Sequence, residues 1–194
     1  MSLHSTSAGK SGTGSLRELC LIAILAALMF GTQVAMASIP NVHLVAVFII
    51  LAATLFGWKA LYSVFIFIML EGLMYGFGLW FLSYLYIWPL LAIVAVLCRK
   101  NTSRIFWAVV AGIFGLIFGA LCSIPYFLAG GWAAGVAYWV AGIPYDFIHC
   151  VSNAVLTFFL ITPMQKLCMK LLGRRGAPVQ TAIKEGGKAD EKLL

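Results

Sequence analysis

Six acidic residues occur in this chain, and two of them stand where a carboxylate is costly. Glu18, Glu185, Asp190 and Glu191 lie beside basic residues or in a polar tail, whereas Glu71 sits inside the apolar run ALYSVFIFIMLEGLMY. At a rise of about 1.5 Å per residue, Glu71 falls about 18 Å along its helix from Lys59, past the middle of a hydrocarbon core about 30 Å thick. An acid at that depth costs roughly 3 kcal/mol on insertion scales and needs a partner or a polar cavity. Tyr75, one turn on, is a candidate companion. A hydrogen-bonded structural carboxyl would fit the same pattern, so the functional reading depends on the neighbours.

The second acid has such neighbours. His149 and Asn153 follow Asp146 at +3 and +7, which puts three polar groups on one helical face. Asp146 also suits a plain capping role, since Pro144 marks a first helical turn and helix-end amides favour an anion. Asn41 and His43 fall at a turn that belongs on the same side of the molecule. Trp80, Tyr84 and Trp88 gather at a second turn, and Trp132 and Trp139 in a third segment. Interfacial Trp and Tyr serve as membrane anchors. The opposite edge is poorer in them, having chiefly Trp58, Tyr62 and Trp107. The asymmetry predicts a small-molecule pocket with apolar walls and a few polar groups, substrate-binding rather than catalytic.

No motif argues for an enzyme. There is no H-E-x-x-H, no G-x-S-x-G and no paired Cys/His spacing, so neither a catalytic nor a metal site is expected. Gly9-Lys10-Ser11 looks like the end of a phosphate-binding loop, but the required first Gly would be His4 and no strand precedes it. Uphill transport would therefore draw on a partner or an ion gradient.

The elements that must position these groups follow from composition. Of 194 residues, 63% are hydrophobic and 10% charged, with mean hydropathy +1.02, too little polar surface to cover a soluble core. The expected fold is an all-α membrane protein, a six-transmembrane-helix bundle with spans at 19–37, 42–56, 60–80, 81–98, 105–128 and 144–172. Residues 1–15 read as a disordered tail, 16–172 as the membrane domain and 173–194 as a charged tail. The uncharged segment 129–142 is expected as a re-entrant or surface helix, and Thr162-Pro163 as a kink. Ala35-Met36-Ala37 resembles a signal-peptidase site, yet the preceding run is longer than a signal core and is kept as a span.

With six spans and both termini cytoplasmic, all thirteen Lys and Arg residues fall on one side. The three opposite connections hold none, as the positive-inside rule requires. The net charge of +7 is thereby topological and predicts no nucleic-acid partner. The sequon Asn101-Thr102-Ser103 is then idle, being on the cytoplasmic side. Ala23, Ala27, Gly31 and Ala35 recur every four residues as a smooth stripe, and Gly112, Gly115 and Gly119 form a second. Either stripe serves internal packing or a partner helix. The five cysteines show no C-x-x-C spacing and read as apolar packers, with pairing of Cys122 and Cys150 left open.

From residues 16 to 172 the chain resembles the substrate-binding S components of energy-coupling factor (ECF) transporters, bacterial vitamin-uptake systems. The resemblance rests on the alanine-rich first span, Pro40-Asn41-Val42, Phe56-Gly57, and Gly142 to His149 with Asn153. It implies a multi-pass protein of the bacterial cell membrane that binds a micronutrient beneath the outer loops. It also implies docking, through the span 1 stripe, on a membrane coupling protein with two cytosolic ATPases, which use the ATP; no cofactor is implied in this chain. The substrate stays open between a thiamine or pyrimidine type and a cobalamin type. A stand-alone proton-coupled carrier and a non-transporting scaffold are the rival readings.

Overall fold

The computed structural model describes the backbone of residues 9–173 and the side chains of residues 16–173. Its elements are α1 (Gly9–Ala35), α2 (Val45–Phe56), a 3-10 turn (Gly57–Lys59), α3 (Ala60–Tyr75), α4 (Leu79–Leu97), α5 (Arg104–Cys122) and α6 (Ile124–Leu171). No strand occurs among the described residues. Among the described residues five stretches are long and apolar enough to cross a membrane, as a multi-pass membrane protein requires, with Val45–Tyr75 counted as one. Helix begins already at Gly9, within the segment expected to be a tail; residues 1–8 and 174–194 lie outside the described residues.

The centre of the bundle is α2. Its sequence VAVFIILAATLF offers no polar face, and all twelve residues are buried. A helix apolar all round can face lipid or other helices, and here burial at every position puts it inside the others. Gly57, at φ 57°, ends it in a left-handed conformation that glycine adopts at no steric cost. Two cross-links show that the chain reverses there. Lys59 pairs with Glu18 at 3.2 Å, and Glu71 is bonded to Gln33, so α1 and α3 run in the same direction. The α2 helix returns between them.

One face of α1, carrying Leu21, Ile22, Leu25, Ala26 and Met29, is buried on this core. Ala23, Ala27, Gly31 and Ala35 all lie on the opposite, exposed face. The glycines of α5 behave otherwise. A Cβ at Gly115 would lie 2.7 Å from backbone atoms of His149 and Cys150, and one at Gly112 would lie 3.3 Å from Ala154 Cβ. This stripe is consumed by α6, which it lets approach to backbone contact.

Several boundaries depart from expectation. The third helix ends at Tyr75 rather than Trp80, because Gly76 takes φ 84°. The fifth stops at Cys122 rather than at 128, and Pro125 starts the next, being tolerated in a first helical turn. Segment 129–142 is helical throughout except for Gly131, at φ 72°. There the chain folds back as a hairpin, with the Tyr126 and Tyr138 rings stacked at 3.9 Å. The last helix thus starts at Trp132, ahead of Pro144, and its torsion angles stay helical through Pro163, where a kink was expected. All five cysteines are free. The outer surface is apolar, with Leu73, Val151 and Phe159 each more than 60% exposed, as lipid-facing residues are.

Candidate functional site: a recessed pocket above the central helix

Twelve residues give α2 a length of about 18 Å, against about 30 Å for a hydrocarbon core. The space left above its N-terminus is a cavity of about 350 Å³. Residues of the α1–α2 connection, including Asn41 and His43, line it together with Gln33, Glu71, Tyr75, Trp80, Tyr84 and Phe118. Among the described residues no Lys or Arg lines it. The described basic side chains mark the other end, where Lys59 meets Glu18 and Arg104 stands 4.5 Å over the Phe158 ring.

Glu71 is 2% exposed, yet it has only half a set of partners. Its Oε2 accepts from Gln33 Nε2 at 3.0 Å, and Gln33 Nε2 also reaches Tyr84 Oη at 3.3 Å. Both hydrogens of the amide are thereby directed, which fixes its orientation. Glu71 Oε1 and Gln33 Oε1 remain buried with no hydrogen-bond partner. Gln33 and Glu71 both line the cavity, so a donor placed there could relieve acceptors whose unmet burial costs about 1–3 kcal/mol each.

The adjoining wall is aromatic. Trp80 and Tyr84 meet edge to face at 5.2 Å, and Tyr84 meets Phe118 at 6.4 Å. The loop wall is pinned by Asn41, whose φ of 56° is a left-handed value that Asn tolerates better than most residues. Its Nδ2 donates to Tyr145 O at 3.1 Å, and Ser152 Oγ donates to Asn41 O at 2.9 Å. The connection is thus bolted to α6 in both directions.

Beneath the loop lies a second polar cluster. The His43 ring packs edge-on against His149 at 4.8 Å and Trp88 at 5.7 Å, and Phe118 covers His149 at 4.7 Å. His43 Nδ1, both His149 ring nitrogens, Trp88 Nε1 and Asn153 Oδ1 have no partner. Asn153 Nδ2 reaches Ala111 O at 3.4 Å. Asp146 is settled differently: it is buried and accepts from the Gly119 backbone N–H at 2.9 Å. A Cβ at position 119 would occupy its place, so glycine is required there.

The residues expected at the site therefore divide. Asn41, His43, Glu71, Tyr75, Trp80 and Tyr84 come together around the cavity. Trp88, His149 and Asn153 form the buried cluster next to it, joined through His43. Asp146 is spent on the α5 backbone. Trp132, 79% exposed, and Trp139 stand on the hairpin outside the pocket. Sequence reasoning passed over Gln33, although a lone amide in an apolar span is a readable signal. Phe118 carried no signal, being one of 14 phenylalanines. Among the described residues no group of three or more His, Cys, Asp or Glu could hold a metal ion.

No family model, curated protein or solved structure matches this chain.

Proposed function

We propose that the chain is the substrate-binding S component of an ECF-type transporter in a bacterial cell membrane, capturing a micronutrient in the cavity above α2. In this reading the reversal at Gly57 makes two passes of Val45–Tyr75. The bundle then crosses six times with both termini and all basic residues cytoplasmic, so the cavity opens outward. The observation that carries the proposal is the cavity itself: aromatic walls around two unmet acceptors, recessed at the end away from the basic side chains. The exposed stripe Ala23, Ala27, Gly31 and Ala35 supplies a surface for the coupling protein, whose two ATPases would provide the energy. Purification from native membranes, with identification of any co-purified small molecule and subunits, tests it. A bound micronutrient together with ATPase subunits is expected.

One feature favours a proton-coupled carrier instead. His149, Asn153, Thr157 and Gln165 fall at multiples of four along α6, all buried, in a column below Asp146. Such a column is the raw material of a proton path. Accumulation by this chain alone in vesicles, driven by a proton gradient, would select that reading over the first.

A further inference from the structure

The pocket's unmet groups specify more than its existence. We infer that the cavity takes a flat nitrogen heterocycle, neutral or singly positive, that presents at least two N–H donors, and that it rejects ligands with a free carboxylate or phosphate. This deepens the reading of the cavity as a substrate site and rests on it.

Three observations lead there. Gln33 Oε1 and Glu71 Oε1 are neighbouring acceptors on two helices, tied together by the 3.0 Å bond between their side chains. Gln33 cannot turn its amide to offer donors instead, because its nitrogen is held by Glu71 and Tyr84, and a flip would set oxygen against carboxylate. The ligand must therefore bring the hydrogens, as an exocyclic amino group beside a ring N–H, or an amidinium edge, does.

Charge argues the same way. Among the described residues the lining contains one carboxylate and no cation, so an anionic ligand would meet Glu71 in a poorly solvated site with nothing in that lining to offset the repulsion. A positive or hydrogen-donating ligand meets a partner already in place. Shape supplies the rest. The rings of Trp80, Tyr84 and Phe118 give a flat molecule surfaces to lie against. A volume of about 350 Å³ is at the small end of ligand pockets and fits one or two rings. A corrin macrocycle is far too large for it, which removes the cobalamin-type substrate from the two left open by the sequence.

The experiment uses the full chain in lipid nanodiscs, with binding read by calorimetry and by tryptophan fluorescence, Trp80 being a reporter in the wall. The probes are thiamine, adenine, and the matched pair nicotinamide and nicotinate. At least one of the amino-heterocycles thiamine and adenine should bind, and nicotinate should bind at least about tenfold more weakly than nicotinamide. In Glu71→Gln, thiamine affinity should fall about 10- to 100-fold, the range expected for a hydrogen bond to a charged group, with adenine less affected. Wild-type elution volume and melting temperature would exclude misfolding of the variant. Nicotinate binding as tightly as nicotinamide, no binding of either amino-heterocycle at millimolar concentration, or undiminished thiamine affinity in Glu71→Gln would overturn the inference. Co-purification of ATPase subunits is scored separately. A chain that binds an anionic micronutrient and assembles keeps the S-component reading and loses this one; the reverse result does the opposite.

Discussion

A pair of glycine-to-alanine substitutions tests the two small-residue stripes against each other. Gly115 lies on the α5 face packed on α6, and the added methyl would sit 2.7 Å from the His149 carbonyl carbon and oxygen and the Cys150 nitrogen. Ordinary contact begins near 3.4 Å. The two helices must therefore separate locally by more than half an ångström, and the obstacle is backbone, which cannot rotate away. Overpacking costs about 1–3 kcal/mol, and three rigid backbone atoms at 2.7 Å put this site in the upper part of that range, about 2–3 kcal/mol, while replacing glycine in a helix returns about 1 kcal/mol. Gly115→Ala should be destabilising by about 1–2 kcal/mol on that balance. At Gly31 nothing lies within 4 Å of the added methyl. Only the propensity gain remains, so Gly31→Ala should be neutral or stabilising by up to about 1 kcal/mol. Thermal or denaturant unfolding of the isolated protein in one detergent reads both. A neutral Gly115→Ala would refute the close α5–α6 approach. Loss of stability in Gly31→Ala would mean that the α1 stripe is packed inside the protein, and would remove the proposed docking surface.

Two further outcomes follow from the same contacts. Ala27→Trp, on the exposed stripe, should leave ligand affinity within about threefold of wild type, less than 1 kcal/mol, while blocking co-purification of partner subunits; loss of both would mean internal packing. Asn41→Ala removes the donor to Tyr145 O and leaves alanine at a left-handed φ, so it should cost about 1–3 kcal/mol of stability and loosen the loop wall. Unfolding measurements would check the first effect, and a raised Kd for whichever probe binds the second.

Much of the fold was legible because membrane constraints are severe. The run 45–56, polar only at Thr54, reads as a span, and Glu71 reads as a polar exception in need of a partner. What the sequence left open was which partner. Gln33 and Glu71 lie 38 positions apart, and their meeting depends on α1 and α3 running in the same direction, a consequence of the reversal at Gly57. The stripes were equally ambiguous in sequence. Gly115 and Gly31 differ only in what stands opposite, and nothing local encodes that. Segment 129–142, expected as a re-entrant or surface helix, is helical, but its uncharged residues do not mark the turn at Gly131. Trp132 and Trp139 fall in the expected site for that reason, and Asp146 because a hydrogen bond from the backbone N–H of another helix leaves no mark in sequence.

The arrangement of polar groups also bears on how a captured ligand would leave. Below the cavity, α2 is closed on every side, and the α6 column is interrupted by Ile161, 1% exposed, between Thr157 and Gln165. Gln165 is itself tied to Thr54 of α2 at 3.1 Å. A ligand passing through the bundle would have to displace a helix buried at all twelve positions, losing most of the core at once. Movement of the whole bundle relative to the membrane would leave that core intact and needs only an external surface to be gripped. The exposed small-residue face of α1 is such a surface, on the helix that carries Gln33 into the pocket. Ligand contact and partner contact would thus fall on opposite faces of one helix, a direct mechanical route by which occupancy of the pocket could be sensed by a docked protein.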